Sequence, residues 1–224
     1  PIISKKSQQE IEKAVRNMGY MRAKVHLDTL THKNKMKLNY RIEAGKPYII
    51  RHIAYQMDDL VIYDFIEKDS LNSYLRKDMP FDVLALDNER QRITKLLQDN
   101  GYYKFDKDFI VYQADTLRNT YDVNLTMKLL PYQRRKEDTP TKHKQYTVRN
   151  VNFLAEENAS LTDRNYTGYD SLHHKGLNIY YKDKAYLRPN TLANFNYIRP
   201  GELYSDQDVQ TTFTSMGRLR ALKY

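Results

Sequence analysis

Apolar positions along the chain follow two alternating periods. Three segments line up without gaps: Ile11-x-x-Ala14-Val15-x-x-Met18-Gly19, Ile93-x-x-Leu96-Leu97-x-x-Asn100-Gly101 and Val209-x-x-Thr212-Phe213-x-x-Met216-Gly217. Each spacing predicts an amphipathic helix, and each ends on glycine, the residue that most readily takes the left-handed conformation closing a helix. Ser7-Gln8-Gln9-Glu10 reads as a capping box at the start of the first helix, and Ser205-Asp206-Gln207-Asp208 as a weaker one at the third. The middle helix starts earlier, with Asp82 or Asp87 as its cap.

Behind the first two glycines the period changes to two. Met21 to Leu27, followed by alternating Met36, Leu38, Tyr40 and Ile42, predicts a hairpin with one apolar and one wet face. Phe109 to Tyr112, followed by Tyr121, Val123, Leu125 and Met127, predicts a second. The third copy stops at Tyr224, inside what would be its first hairpin strand. A further strand occurs twice as Tyr-x-[Ile/Val]-Arg-x-[Ile/Val]-x-aromatic, at Tyr48–Tyr55 and Tyr146–Phe153. The assembled unit is strand, helical region, helix, glycine, strand, turn, strand. Residues 1–45 hold the C-terminal part of one unit and 46–133 a whole one. Residues 134–145 form a basic linker. Residues 146–224 hold a third unit, with its closing strand missing and a polar insertion at 156–176. The strand-like run Leu177 to Tyr181 after that insertion has no partner that the sequence identifies.

Composition narrows the function. The chain has 20 tyrosines and no tryptophan, which suits strands that are half buried and half wet. Apolar runs are only a few residues long, so nothing here predicts a membrane-crossing helix. Residue 1 is proline, and the chain reads as a mature or excised fragment. The absence of cysteine excludes disulfide frameworks and cysteine-based zinc sites. A net charge of +9 favours anionic partners, nucleic acid among them. Most charges are interspersed, however, and the densest run, Arg134-Arg135-Lys136 with Lys142-His143-Lys144, reads as a solvated linker. No HExxH, GxSxG or P-loop pattern is present, and Asp58-Asp59 and Glu156-Glu157 read as solvated surface. His173-His174 near Asp170 forms a poor metal cage on an exposed loop. We therefore expect no enzyme, no cofactor and no metal.

The order β-α-α-β-β resembles the POTRA domain of outer-membrane assembly factors of the BamA and TamA type, in their Bacteroidetes form. The resemblance rests on Gly45-Lys46-Pro47-Tyr48-Ile49-Ile50-Arg51-His52-Ile53, on Glu89-Arg90-Gln91-Arg92-Ile93 with Asn100-Gly101-Tyr102-Tyr103-Lys104-Phe105, and on Arg199-Pro200-Gly201-Glu202-Leu203-Tyr204-Ser205. It implies an α+β chain of tandem POTRA-like units, each a three-stranded mixed sheet in the order 1-3-2 with two helices on one face. It further implies the periplasmic part of a Gram-negative outer-membrane protein, tethered to a β-barrel, with other subunits or lipoproteins as neighbours. Strand 2 would then be a free edge that takes up unfolded outer-membrane protein segments by β-augmentation. The residues concerned are Met21, Ala23, Val25 and Leu27 in the first unit, and Phe109, Ile110, Val111 and Tyr112 in the second. The alternative is a basic nucleic-acid-binding module, for which no RNP-like, KH or helix-turn-helix pattern speaks. Asp-Ser/Thr-Leu recurs at Asp28, Asp69, Asp115 and Asp170. It reads as turn chemistry, and it also resembles the O-glycosylation acceptor pattern of Bacteroidetes envelope proteins.

Overall fold

A computed structural model describes residues 2–32, 35–116, 120–133, 135, 137–154, 168–182 and 187–219. The chain forms two compact units, residues 1–93 with 106–140 and residues 94–105 with 141–224. Among the described residues no helix is long and apolar enough to cross a membrane.

The first unit opens with α1 (Ile2–Asn17), followed by the antiparallel hairpin β1 (Lys24–His32) and β2 (Lys35–Glu43). Ser7 lies inside α1, so the expected capping box does not start that helix. Asp28-Thr29-Leu30 lies within β1, because strand pairing continues without a break to His32–Lys35 and overrides the local turn preference of Asp and Thr. Ala23 and Val25 are buried, while Leu38 and Ile42 are exposed.

The same unit continues with β3 (Ile49–Gln56), α2 (Leu60–Lys68), α3 (Val83–Gln98, whose last turn belongs to the second unit), β4 (Ile110–Thr116) and β5 (Asp122–Leu129). The sheet order is β3-β5-β4, with β3 parallel and β4 antiparallel to β5. This is the mixed 1-3-2 sheet that the resemblance implied. Alternation along β5 buries Val123, Leu125 and Met127, and the matching sheet face carries Ile50 and Ile110. Both helices cover that face: the Tyr55 ring meets Tyr63 of α2 edge-on at 6.2 Å, and the charge of Glu89 on α3 is felt at both Tyr55 and Tyr112. Asp59 caps α2 through Val61 and Ile62, and Asp82 caps α3, its carboxylate accepting from the Leu84 N–H at 2.8 Å.

A buried carboxylate fixes the connection between these helices. Glu89, fully buried, accepts from the Ser73 hydroxyl at 3.0 Å and the Tyr74 N–H at 2.8 Å. Arg92 donates to both of its oxygens, at 3.0 and 2.7 Å, and also reaches Asp69 at the end of α2.

The second unit contains β6 (Val151–Leu154), β7 (Asp170–His174), β8 (Leu177–Tyr181), α4 (Pro189–Phe195) and α5 (Asp206–Gly217). Its sheet order is β6-β8-β7. The run at Leu177 therefore has two partners, β6 in parallel and β7 antiparallel. Part of the expected insertion forms β7, and its residues 156–167 lie outside the described ones. His173 and His174 belong to this strand rather than to a loop, and bond to Asn178 and Asn190. Asp170-Ser171-Leu172 likewise lies in β7, so of the four Asp-Ser/Thr-Leu sites only Asp69 sits at a helix end, leading into a 3-10 turn; Leu117 is outside the described residues. The core joins Val151, Leu177, Ile179, Leu192 and Met216. Ser205 caps α5 as expected, accepting from the Asp208 N–H at 3.2 Å. Gly217 stays within the helix, unlike Gly19 and Gly101, whose φ angles are +97° and +94°. His143, read with the basic linker, is buried against the Phe105 ring.

Each unit repeats one backbone device. In the first, the Tyr48 N–H donates to the Gly19 carbonyl at 2.8 Å; in the second, Tyr146 donates to Gly101 at 2.8 Å. The strand that follows is bordered by the loop before the next helix. Asp78 donates to the Ile50 carbonyl and Ile50 to that of Met79; correspondingly, Gly201 donates to Val148 and Val148 to Glu202. Asp78 and Gly201 share a positive φ at this place, +66° and +86°.

Candidate strand edges for polypeptide binding

β1 and β4 are the strands expected to offer free edges, and the structure trims both. β1 starts at Lys24, so Met21 lies in the preceding turn and Ala23 just ahead of the strand. Phe109 ends a 3-10 turn (Lys107–Phe109), and its carbonyl accepts from the Leu130 N–H at 2.8 Å, on the β5 side. Ile110, Val111 and Tyr112 lie in β4.

Antiparallel pairing alternates the direction of backbone groups, so the bonds above decide which residues look outward. The Val25 N–H donates to Glu12 at 3.1 Å and its carbonyl accepts from Gln8 at 2.6 Å. Val25 therefore faces away from β2, as do Leu27, Thr29 and Thr31. The Ala23 carbonyl accepts from Arg16 at 3.3 Å. Side chains of α1 thus occupy the outward groups of Ala23 and Val25, and the accessible edge runs from Leu27 to Thr31. In β4, Phe109 faces β5, so Ile110, Tyr112, Ala114 and Thr116 turn outward; the Ile110 N–H donates to the Lys107 carbonyl, and the accessible edge runs from Tyr112 to Thr116.

The same clasp recurs in the middle copy. Arg90 donates to the Lys107 carbonyl at 3.1 Å, and Gln98 to the Phe105 carbonyl at 2.8 Å. Arg90 stands at the helix position of Gln8, and Gln98 at that of Arg16. Sequence reasoning missed these four residues because they occupy the variable positions of the helix repeat. The available signal was a long donor side chain eight residues apart on both helices.

The side chains leave recognition to the backbone. Ile110 is buried, and Tyr112, on the same face of the sheet, is half-buried. Its hydroxyl is buried without a hydrogen-bond partner, and desolvation, with the nearby Glu89 charge, pushes the phenol far above its ordinary pKa. Tyr112→Phe removes this unpaired group and is expected to stabilise the chain by about 1 kcal/mol, read as a rise of a few degrees in thermal melting by circular dichroism. A fall in melting temperature would show that the hydroxyl is solvated or bonded.

Several cations in the described residues face carboxylates. Arg51 bridges Asp78 and Asp122, Arg90 contacts Asp87 and Asp108, Lys107 meets Asp87, and Arg199 meets Glu202. No group of three or more histidine, aspartate or glutamate side chains in these residues is placed to hold a metal ion.

No protein-family profile and no curated protein sequence matches the chain. Among solved structures, it is similar to POTRA3-5 of BamA from Haemophilus influenzae, with a TM-score of 0.50 at 14% identity over 96% of this chain and 69% of that one. BamA from Haemophilus ducreyi lacking POTRA domains 1-3 gives 0.35 at 18% identity, over 55% of this chain and 21% of that one. The N-terminal domain of Omp85 from Thermosynechococcus elongatus gives 0.30 at 12%, over 95% and 71%. These last two are too distant to carry weight. With the β-α-α-β-β order and the β3-β5-β4 sheet already established, the first match shows that this chain has the POTRA fold.

Proposed function

We propose that this chain is the periplasmic polypeptide-binding arm of a Bacteroidetes-type outer-membrane assembly factor. In this reading it receives unfolded outer-membrane protein segments as added strands, and is tethered to a β-barrel beside other assembly subunits. The observation that carries the reading is that β4, among the described residues, is the edge strand of a sheet of order β3-β5-β4. β1 offers a second edge, from Leu27 to Thr31. Main-chain pairing ignores client sequence, as a general receiver requires.

Magnitudes fix the kind of binding. On either edge three outward residues, Leu27, Thr29 and Thr31 of β1 or Tyr112, Ala114 and Thr116 of β4, offer about six backbone bonds, worth roughly 3 to 9 kcal/mol in all, against an association cost on the order of 4 to 15 kcal/mol. A single edge is weak. Two edges on one chain raise the effective concentration of a client that must later be released. The ion pairing of Arg51, Arg90, Lys107 and Arg199 weakens the nucleic-acid alternative.

The test is solution NMR of the isotope-labelled chain titrated with a β-strand peptide from an outer-membrane barrel. Weak shifts, tolerant of peptide sequence and confined to Leu27–Thr31 and Ile110–Thr116, are expected. Still amides there, with an oligonucleotide shifting the basic surface instead, would overturn the reading.

A further inference from the structure

The two three-stranded sheets are built from different stretches of chain, yet their registers correspond position by position through the repeat. In the first unit the strand beside β3 comes from a hairpin that follows the helices; in the second, the strand beside β6 comes from a hairpin that precedes them. The repeat equates Ile53 with Val151 and Tyr55 with Phe153. Ile53 pairs with Leu125 and Tyr55 with Met127; Val151 pairs with Leu177 and Phe153 with Ile179. One strand further out, Tyr112 pairs with Met127 and Leu172 with Ile179. Leu125 and Met127 are 1% and 0% exposed, and Leu177 and Ile179 are also 1% and 0%. β7–β8 thus fills the place that β4–β5 fills, with the same register and the same two buried side chains.

We infer that the edge of β6 is a binding site for an amphipathic β-hairpin of the β4–β5 kind, and that β7–β8 is its resident, displaceable ligand. The resident makes the smaller fit. It pairs with β6 over four residues, where β3 and β5 pair over seven, and its own two strands pair over five against seven in β4–β5. It also covers less of the helices. Val209 of α5 is only partly buried, whereas Ile93 at the equivalent position of α3 is fully buried. The resident's advantage is attachment: it is held on the same chain, at an effective concentration of about millimolar. A longer hairpin with two apolar side chains, two residues apart on its inner strand, has more ladder and more apolar surface to offer the same edge. This site is on a different strand from the β1 and β4 edges and takes a hairpin rather than a single strand.

The probe is a synthetic peptide of residues 109–130, added to the whole chain carrying Asn152→Cys and Asn178→Cys. These two residues face each other across β6 and β8, their side chains 2.9 Å apart, and the chain has no other cysteine. Oxidation locks the resident hairpin in place, and reduction frees it in the same protein. Binding at least tenfold tighter to the reduced form is expected, with Leu177–Tyr181 amides losing hydrogen-exchange protection as peptide is added. The unsubstituted chain should behave like the reduced form. A peptide carrying Leu125→Asp and Met127→Asp should not bind to either. Equal binding to the locked and unlocked forms, or Leu177–Tyr181 protection unchanged at millimolar peptide, would overturn the inference. Neither readout depends on the Leu27–Thr31 or Ile110–Thr116 amides, so it stands or falls separately from edge binding.

Discussion

Glu89→Ala is expected to destabilise the first unit by about 3 to 5 kcal/mol, because it breaks a buried ion pair and strands its remaining partners. Glu89 is fully buried and accepts from four donors: the Ser73 hydroxyl, the Tyr74 N–H and two guanidinium nitrogens of Arg92. Removing it leaves the Tyr74 N–H without an acceptor, and Arg92 with Asp69 as its remaining carboxylate. Glu89→Gln keeps one acceptor oxygen and should lose less. Urea unfolding of both variants measures the difference. A loss under about 1 kcal/mol for the alanine variant would mean that the connection between α2 and α3 does not depend on this carboxylate.

Three glycines separate backbone strain from close contact. Gly19, Gly45 and Gly101 all have positive φ, so each alanine variant bears a conformational cost of about 1 to 2 kcal/mol. At Gly45 nothing lies within 4 Å of an added Cβ. At Gly101 the Cβ meets the tip of Leu203 at 3.1 Å, a side chain that can turn aside, and the Gln145 Cβ at 3.3 Å, which is fixed to the backbone. At Gly19 it meets the Phe81 carbonyl oxygen at 3.1 Å and the Phe81 nitrogen at 3.3 Å, and backbone cannot turn aside. The Tyr48 bond to the Gly19 carbonyl would be disturbed as well. We expect Gly19→Ala to cost about 2 to 4 kcal/mol, Gly45→Ala about 1 to 2, and Gly101→Ala a value between them. Thermal melting of the three variants gives the order. Equal losses would remove the contact contribution and leave strain alone.

Much of this architecture was legible because it is periodic. The helix repeat, its glycines at 19 and 101, the strand at Tyr48 and the caps at Asp82 and Ser205 all rest on short-range chemistry that a sequence displays. The misreadings share a cause, which is that longer-range pairing overrode a local preference. Asp28-Thr29 carries a turn signal, yet nine paired positions hold it in a strand. Ser7 with Glu10 has the spacing of a cap, yet the helix extends back to Ile2. Leu177 to Tyr181 looked partnerless because one partner, Val151–Leu154, lies across a polar stretch that gives no periodic signal, and the other, Asp170–His174, belongs to that stretch. At the candidate edges the strands were foreseen, but the clasping side chains were not. Gln8 and Arg90 differ in type and share only reach and a donor group.

That clasp also orders events as the chain folds. Its bonds join residues only 17 or 7 positions apart, in both copies. The Arg51–Asp122 pair that flanks the parallel β3–β5 contact closes a separation of 71 residues. Loop closure makes near contacts fast and distant ones slow. Helix, glycine and following strand are therefore expected to assemble first in each copy, as a fast local nucleus. The parallel strand is expected to arrive last, leaving the central strand of the sheet open on one side until it does.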